Sequence, residues 1–213
     1  MNFLAHLLLS GPNEELAVGN FLADMLHPRE YSQMPKGVMD GVRFHQEIDR
    51  FTDSHPQVLK SKSRVRAISG KYAPVLIDVY FDLVVFKNWT LYATISFEEF
   101  EEFVYSFLLN YVNYIPVSLQ WKVTSMVKHQ WLRTYQSEEG IRDVFRRMAV
   151  RASKPEVLIN SVSELISNHD DLDEDFKLFF PALINNCSAN YPLQNTWINP
   201  SLLNNKLLDQ PSK

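Results

Sequence analysis

Between Ala73 and Phe86 the chain is apolar almost without interruption: Val75, Leu76, Ile77, Val79, Tyr80, Phe81, Leu83, Val84 and Val85 accompany two carboxylates, Asp78 and Asp82. A helix apolar on most of its circumference is a central helix enclosed by others. This segment therefore demands a surrounding shell of helices and a partner for each carboxylate. Burying an ionised carboxylate alone costs several kcal/mol, so Asp78 and Asp82 must be paired, hydrogen-bonded or metal-bound. Pairing with Arg43 or Arg50 is one answer. A metal or catalytic site is the other, and the one favoured.

The rest of the sequence supplies the shell. Glycine is scarce, at 6 residues in 213. No Asn-Gly or Asp-Gly turn separates alternating strands, and apolar residues recur at spacings of three and four. These features predict an all-α, single-domain helical bundle. Helices are expected over Asn2 to Leu9, Glu14 to Leu26, Lys36 to Thr52, Pro56 to Ser69, Ala73 to Trp89, Phe97 to Tyr114, Val117 to Tyr135, Ser137 to Val150, Glu156 to Ser167 and Asp171 to Asn190. Pro56 suits a first helical position, with Ser54 or Asp53 as its cap, and Pro35, Pro116 and Pro155 mark other breaks. From Tyr191 onward Asn, Pro and Ser dominate, so residues 1–190 are read as the domain and 191–213 as a loosely attached or disordered tail.

A net charge of -4 argues against a protein that coats nucleic acid. The single cysteine, Cys187, excludes an intrachain disulfide and fits a reducing compartment. No basic residue precedes the short apolar run at Met1 to Ser10, and no apolar stretch approaches the roughly 20 residues of a spanning helix. The expectation is a soluble, cytoplasmic protein without membrane contact.

Residues four apart on a helix lie one above the other. His45, Asp49 and Asp53 form such a stripe, Asp78 and Asp82 a second, and Asn20 with Asp24 a third amid Val18, Phe21, Leu22 and Met25. The first stripe, taken alone, also fits a solvated helix face. Two helices carrying such pairs can close on one metal ion, with Asp24 as a further oxygen ligand. His6 lies on an apolar N-terminal helix, where a lone histidine is more often a hydrogen-bonded core residue than a ligand. A mixed imidazole and carboxylate set suits manganese, iron, magnesium or zinc, and Cys187 stands outside it. A divalent ion lowers the pKa of bound water from about 15.7 toward about 7 and stabilises charge on a phosphoryl group, so phosphoester hydrolysis is the expected chemistry.

Four motifs carry a resemblance: Met-Asn-Phe-Leu-Ala-His at Met1 to His6, Gly-Asn-Phe-Leu-Ala-Asp at Gly19 to Asp24, the run from His45 to Pro56, and Asp-Val-Tyr-Phe-Asp at Asp78 to Asp82. In combination they resemble the acyl-carrier-protein phosphodiesterase family, also called ACP hydrolase. Weaker echoes at Trp131, Leu132, Tyr135, Met148, Ala149, Arg151 and Phe179 to Pro181 extend the likeness to about Asn190. The resemblance implies an all-helical, HD-domain-like phosphohydrolase using manganese or another divalent ion, with magnesium and iron as alternatives. Its reaction would cleave the phosphodiester joining 4′-phosphopantetheine to a serine of holo-acyl carrier protein. Carried over by position, the resemblance implies Asp24, His45, Asp49, Asp78 and Asp82 as metal ligands. Asp24, His45 and Asp49 would also activate water, with His6, Asn20, Asp53 and His55 supporting the metal or facing the phosphate.

One position departs from the family pattern. The family places a histidine after the second aspartate of the Asp-x-x-x-Asp pair, where this chain has Leu83. Either His6, His45 or His55 compensates, or turnover is altered or lost, or the position is one of packing that leucine satisfies. Carrier proteins are acidic, so the run Lys60, Lys62, Arg64 and Arg66 is a candidate docking surface, and Arg142, Arg146, Arg147 and Arg151 form a second basic cluster. Both also fit ordinary solvated helix faces. Two other functions share these features: a phosphohydrolase acting on another phosphoester, and a non-catalytic helical protein that binds an acidic partner.

Overall fold

The structure is a computed structural model that describes residues 2–191 and 196–203. Among these residues it contains twelve α-helices and no strand, as the spacing of apolar residues predicts. The helices are α1 (Phe3–Ser10), α2 (Glu14–Leu22), α3 (Lys36–Ser54), α4 (Pro56–Ser69), α5 (Ala73–Lys87), α6 (Trp89–Tyr92), α7 (Phe97–Asn110), α8 (Val117–Lys128), α9 (Glu138–Ala149), α10 (Pro155–Asn160), α11 (Val162–Ser167) and α12 (His169–Asn190). Among the described residues no helix is long and apolar enough to cross a membrane.

α5 is the enclosed helix that its composition demands. Leu76, Ile77, Val79, Phe81, Leu83, Val84 and Val85 are buried, and α1, α4, α9 and α12 pack around them. The Phe81 ring lies 4.9 Å from that of Phe176 and 5.8 Å from that of Phe179, both on α12. Full burial of one such side chain contributes about 1.5–3 kcal/mol. α12 continues through Pro181 despite the lost backbone donor; Phe179, Phe180, Leu183 and Ile184 beside it are fully buried.

α2 and α3 touch backbone to backbone. A Cβ at Gly19 would collide with the Val38 carbonyl oxygen and lie 2.8 Å from Gly41 Cα, and one at Gly41 would collide with the Leu16 carbonyl oxygen. Only hydrogen in place of a side chain permits this approach. It brings the residue after Gly19, Asn20, within reach of His45, one helical turn beyond Gly41.

Several helix ends differ from expectation for identifiable reasons. α4 is capped by His55, whose Nδ1 accepts from the Gln57 N–H at 3.3 Å, because Asp53 and Ser54 are still inside α3. α2 stops at Leu22, which puts Asp24 on the following turn. The expected helix from Val117 to Tyr135 breaks at Gln130, which adopts a φ of 47°, and the one from Glu156 to Ser167 divides into α10 and α11.

Part of the expected loose tail is fastened to the domain. The Thr94 N–H donates to the Trp197 carbonyl and the Asn199 N–H to the Tyr92 carbonyl, each at 2.8 Å. Trp197 and Ile198 are buried, which supplies the reason for attachment; the Trp197 ring lies 5.3 Å from that of Phe100. Residues 192–195 and 204–213 of that tail lie outside the described residues.

Candidate metal centre

α1 brings His6, α3 brings His45 and Asp49, and the turn after α2 brings Asp24. Ligand atoms of His6, His45 and Asp49 all lie within 4.8 Å of one another. His6 Nε2 is 3.3 Å from Asp49 Oδ1, and His45 Nε2 is 3.1 Å from Asp49 Oδ2 and 3.2 Å from Asp24 Oδ1. The two imidazoles stack with centroids 4.3 Å apart. The site is closed on the histidine side and open on the acid side: side-chain exposure is 3% for His6 and 10% for His45, against 40% for Asp49 and 74% for Asp24.

Asn20 determines which nitrogen of each ring carries hydrogen. Its Nδ2 donates to the His6 carbonyl at 2.8 Å and to Ser10 Oγ at 2.9 Å, which leaves Oδ1 as acceptor. His6 Nδ1 lies 2.8 Å from that Oδ1 and must donate to it. His45 Nδ1 lies 2.9 Å from the Asn20 backbone carbonyl and 3.0 Å from Oδ1, both acceptors, and donates too. Both histidines thus direct Nε2 at the carboxylates, the arrangement that suits metal-binding imidazoles.

Charge follows from this geometry. Burial holds the His6 pKa below its usual value despite nearby Asp49, so His6 is a neutral imidazole. Its Nε2 is buried and has no hydrogen-bond partner. Burial also pulls His45 down, but Asp24 and Asp49 outweigh it and raise its pKa from 6.5 to about 9. Burial raises Asp49, and the two imidazoles outweigh it, holding the carboxyl far below the usual range. The hydrogen bond from His45 lowers Asp24 as well. The buried, orphaned lone pair of His6 Nε2, two ionised carboxylates, and His45 Nε2 once a metal displaces its proton fit a divalent cation.

The other expected site residues stand elsewhere. Asp78 and Asp82 are outside the group that could share an ion, contrary to the sequence expectation. Asp82 is fully buried, and its two oxygens accept from the backbone N–H groups of Leu4 at 2.8 Å and Ala5 at 3.2 Å. Burial outweighs those bonds and pushes its pKa up to about 7. Asp78 is half-buried one turn earlier on α5. Asp53 forms an exposed ion pair with Lys62 at 2.7 Å, and His55 caps α4 against the rings of Phe51 and Phe179. Leu83, at the position of the expected family histidine, is buried in the apolar core. Ser10 is the residue that sequence reasoning missed; its place one turn beyond His6 on a helix otherwise made of apolar side chains was the available signal.

The basic run is largely neutralised. Lys60 pairs with Asp175 at 3.0 Å, and Arg64 pairs with Asp171 at 2.7 Å and with buried Asp175 at 3.1 Å. Arg66 is exposed.

A family model described as acyl carrier protein phosphodiesterase matches residues 1–183. Similar curated proteins carry the same name. The one from Photorhabdus laumondii subsp. laumondii is 29% identical over 185 residues, 86% of this chain and 93% of that one. Those from Enterobacter sp. (strain 638) and Escherichia coli O139:H28 are 29% and 28% identical over 185 residues, 86% of this chain and 96% of each relative. No solved structure matches significantly.

Proposed function

Because the chain belongs to the acyl carrier protein phosphodiesterase family, we propose that it hydrolyses the phosphodiester between 4′-phosphopantetheine and a serine of holo-acyl carrier protein, with a divalent metal at His6, His45 and Asp49. The observation that carries the metal is the pair His6 Nε2 and Asp49 Oδ1, two lone-pair atoms 3.3 Å apart, the nitrogen buried and without a hydrogen bond. The mixed ligand set suits manganese, with magnesium and iron as the alternatives to test. When bound, the ion supplies positive charge that activates water and offsets charge on the phosphoryl oxygens.

The chain's own residues hold and orient. Asn20 fixes both Nδ1–H tautomers, and the α2–α3 backbone contact keeps Asn20 against His45. Asp24, at the open mouth, presents an ionised carboxylate that can orient the attacking water. Water adds to phosphorus, the bond from phosphorus to the seryl oxygen breaks, and the seryl oxygen receives a proton. The products are apo-carrier protein and 4′-phosphopantetheine. Leu83 supports a packing role at its position, since its apolar surroundings offer a histidine no part in this chemistry.

Intact mass of holo-carrier protein after incubation with the protein and manganese, magnesium or iron tests the reading. Loss of the prosthetic group is expected with at least one metal. Full retention with all three overturns it.

A further inference from the structure

We propose that Asp82 is a positioning residue for His6: its buried carboxylate clamps the first turn of α1 and so sets where the His6 imidazole meets Asp49. The inference rests on the proposed metal site for its functional meaning, but the placement of His6 is measurable without metal.

The first turn of any helix leaves backbone N–H groups without partners. In α1 three of them have side-chain acceptors. The Phe3 N–H donates to Asn2 Oδ1 at 3.0 Å, the Leu4 N–H to Asp82 Oδ2 at 2.8 Å, and the Ala5 N–H to Asp82 Oδ1 at 3.2 Å. Two donors meet two acceptors, so a carboxylate fits where a carboxamide would turn an NH₂ toward an N–H. When ionised, the group also faces the positive end of the helix dipole in a site shielded from water.

Apolar packing alone cannot place this helix. Leu4, Ala5, Leu7, Leu8 and Leu9 are all buried, and a surface made almost wholly of leucine gives similar contact after a small slide or rotation. Directional bonds remove that freedom. Asp82 is itself fixed, because α5 is enclosed by other helices. His6 follows Ala5 directly, so any movement of the clamped turn carries the imidazole with it. At the other end of the short helix Ser10 and Asn20 hold the His6 carbonyl at 2.9 Å and 2.8 Å. Asp82 and Asn20 therefore act as two fixed points on either side of the ligand. The aspartate that sequence spacing assigns to the metal serves it through backbone.

The test compares wild type with Asp82→Asn, and with Asp82→Ser should the first variant fail to fold. In the metal-free protein, NMR of the His6 ring nitrogens and hydrogen exchange at the Leu4 and Ala5 amides report the placement. Mn²⁺ titration then reports affinity. The expected result is displaced His6 resonances, faster exchange at both amides, and Mn²⁺ binding weakened about tenfold to a hundredfold, as is typical when a group orienting a ligand is lost. Met126→Ala, a core truncation on α8, should leave the His6 resonances in place even where it lowers Tm as much. Unchanged His6 resonances in Asp82→Asn overturn the proposal; if Mn²⁺ binding is then lost all the same, Asp82 is a ligand. Displaced His6 resonances in a protein whose wild type binds no Mn²⁺ would uphold the positioning role and remove the metal reading instead.

Discussion

His6 Nε2 and Asp49 Oδ1 face each other across 3.3 Å without a hydrogen bond between them, because Asn20 has drawn the ring hydrogen of His6 to the opposite nitrogen. A cation between such atoms relieves their repulsion. Mn²⁺ at a hundred times its Kd should therefore stabilise the fold by about 2.7 kcal/mol, a rise in Tm of roughly 5–10 °C for a domain of this size. EDTA should reverse the rise, and His6→Ala or Asp49→Asn should abolish it. An equal rise in both variants would place the ion elsewhere.

Asp24 is the most open of the clustered acids and touches His45 alone among them. Asp24→Asn should lower kcat roughly a hundredfold or more, the scale expected when a group acting on the attacking water is lost. Its Mn²⁺ affinity should change far less than that of Asp49→Asn. Steady-state kinetics together with metal titration separate the two effects.

His45 gives the metal-free protein a pH signature. Its folded pKa of about 9 exceeds the ordinary 6.5, so folding favours the protonated ring. The resulting stabilisation is complete below about pH 6.5 and disappears as the pH rises through about 9. Asp49, depressed by the same contact, loses its share only in acid, as the pH falls through its folded value. The Tm advantage of wild type over His45→Gln should accordingly shrink between pH 6.5 and 9 when measured in EDTA. A constant advantage across that interval would contradict the ion pair. Mn²⁺ competes with the same proton, so its affinity should rise with pH over this window.

Gly41→Ala would thrust a methyl group at the Leu16 carbonyl and the Gly19 Cα. Overpacking of this kind costs about 1–3 kcal/mol. Because the helices must separate, His45 should also lose its bond to the Asn20 carbonyl, and Mn²⁺ affinity should fall with stability. Denaturant unfolding and metal titration on one preparation read both. A stability loss with intact affinity would show that the helix contact does not set the histidine.

A carrier protein docking on the basic run must find charge not already engaged. Arg64 is tied to buried Asp175, so reversing it confounds docking with folding. Arg66→Glu is the cleaner test. It should raise KM for holo-carrier protein several-fold with kcat unchanged, and the difference should fade at high salt. An unaltered KM would exclude this end of α4 as the dock.

Much of the helical framework was legible because its signals are local. α4 runs from Pro56 to Ser69 as expected, and the apolar run of α5 declared its own burial. The four-residue spacing of His45 and Asp49 placed two side chains able to bind a metal on one face of α3, and there they meet. Asp82 was misassigned because a carboxylate on an apolar helix advertises a need for partners without naming them, and its partners are backbone groups of a distant helix. His6 was understated for the complementary reason: nothing near it in sequence shows that Asn20 and Asp49 complete its surroundings. The helix break at Gln130 escaped because neither Gly nor Pro marks it.

The bond from Asp82 to Leu4 spans 78 positions of chain. His6, Asp24, His45 and Asp49 leave the ribosome well before the carboxylate that seats the first of them. The residues of the proposed site are thus made early and the pocket late. A nascent chain halted before α5 would hold every proposed ligand with the first turn of α1 still unclamped, so completion of the centre reports that the helical shell has closed.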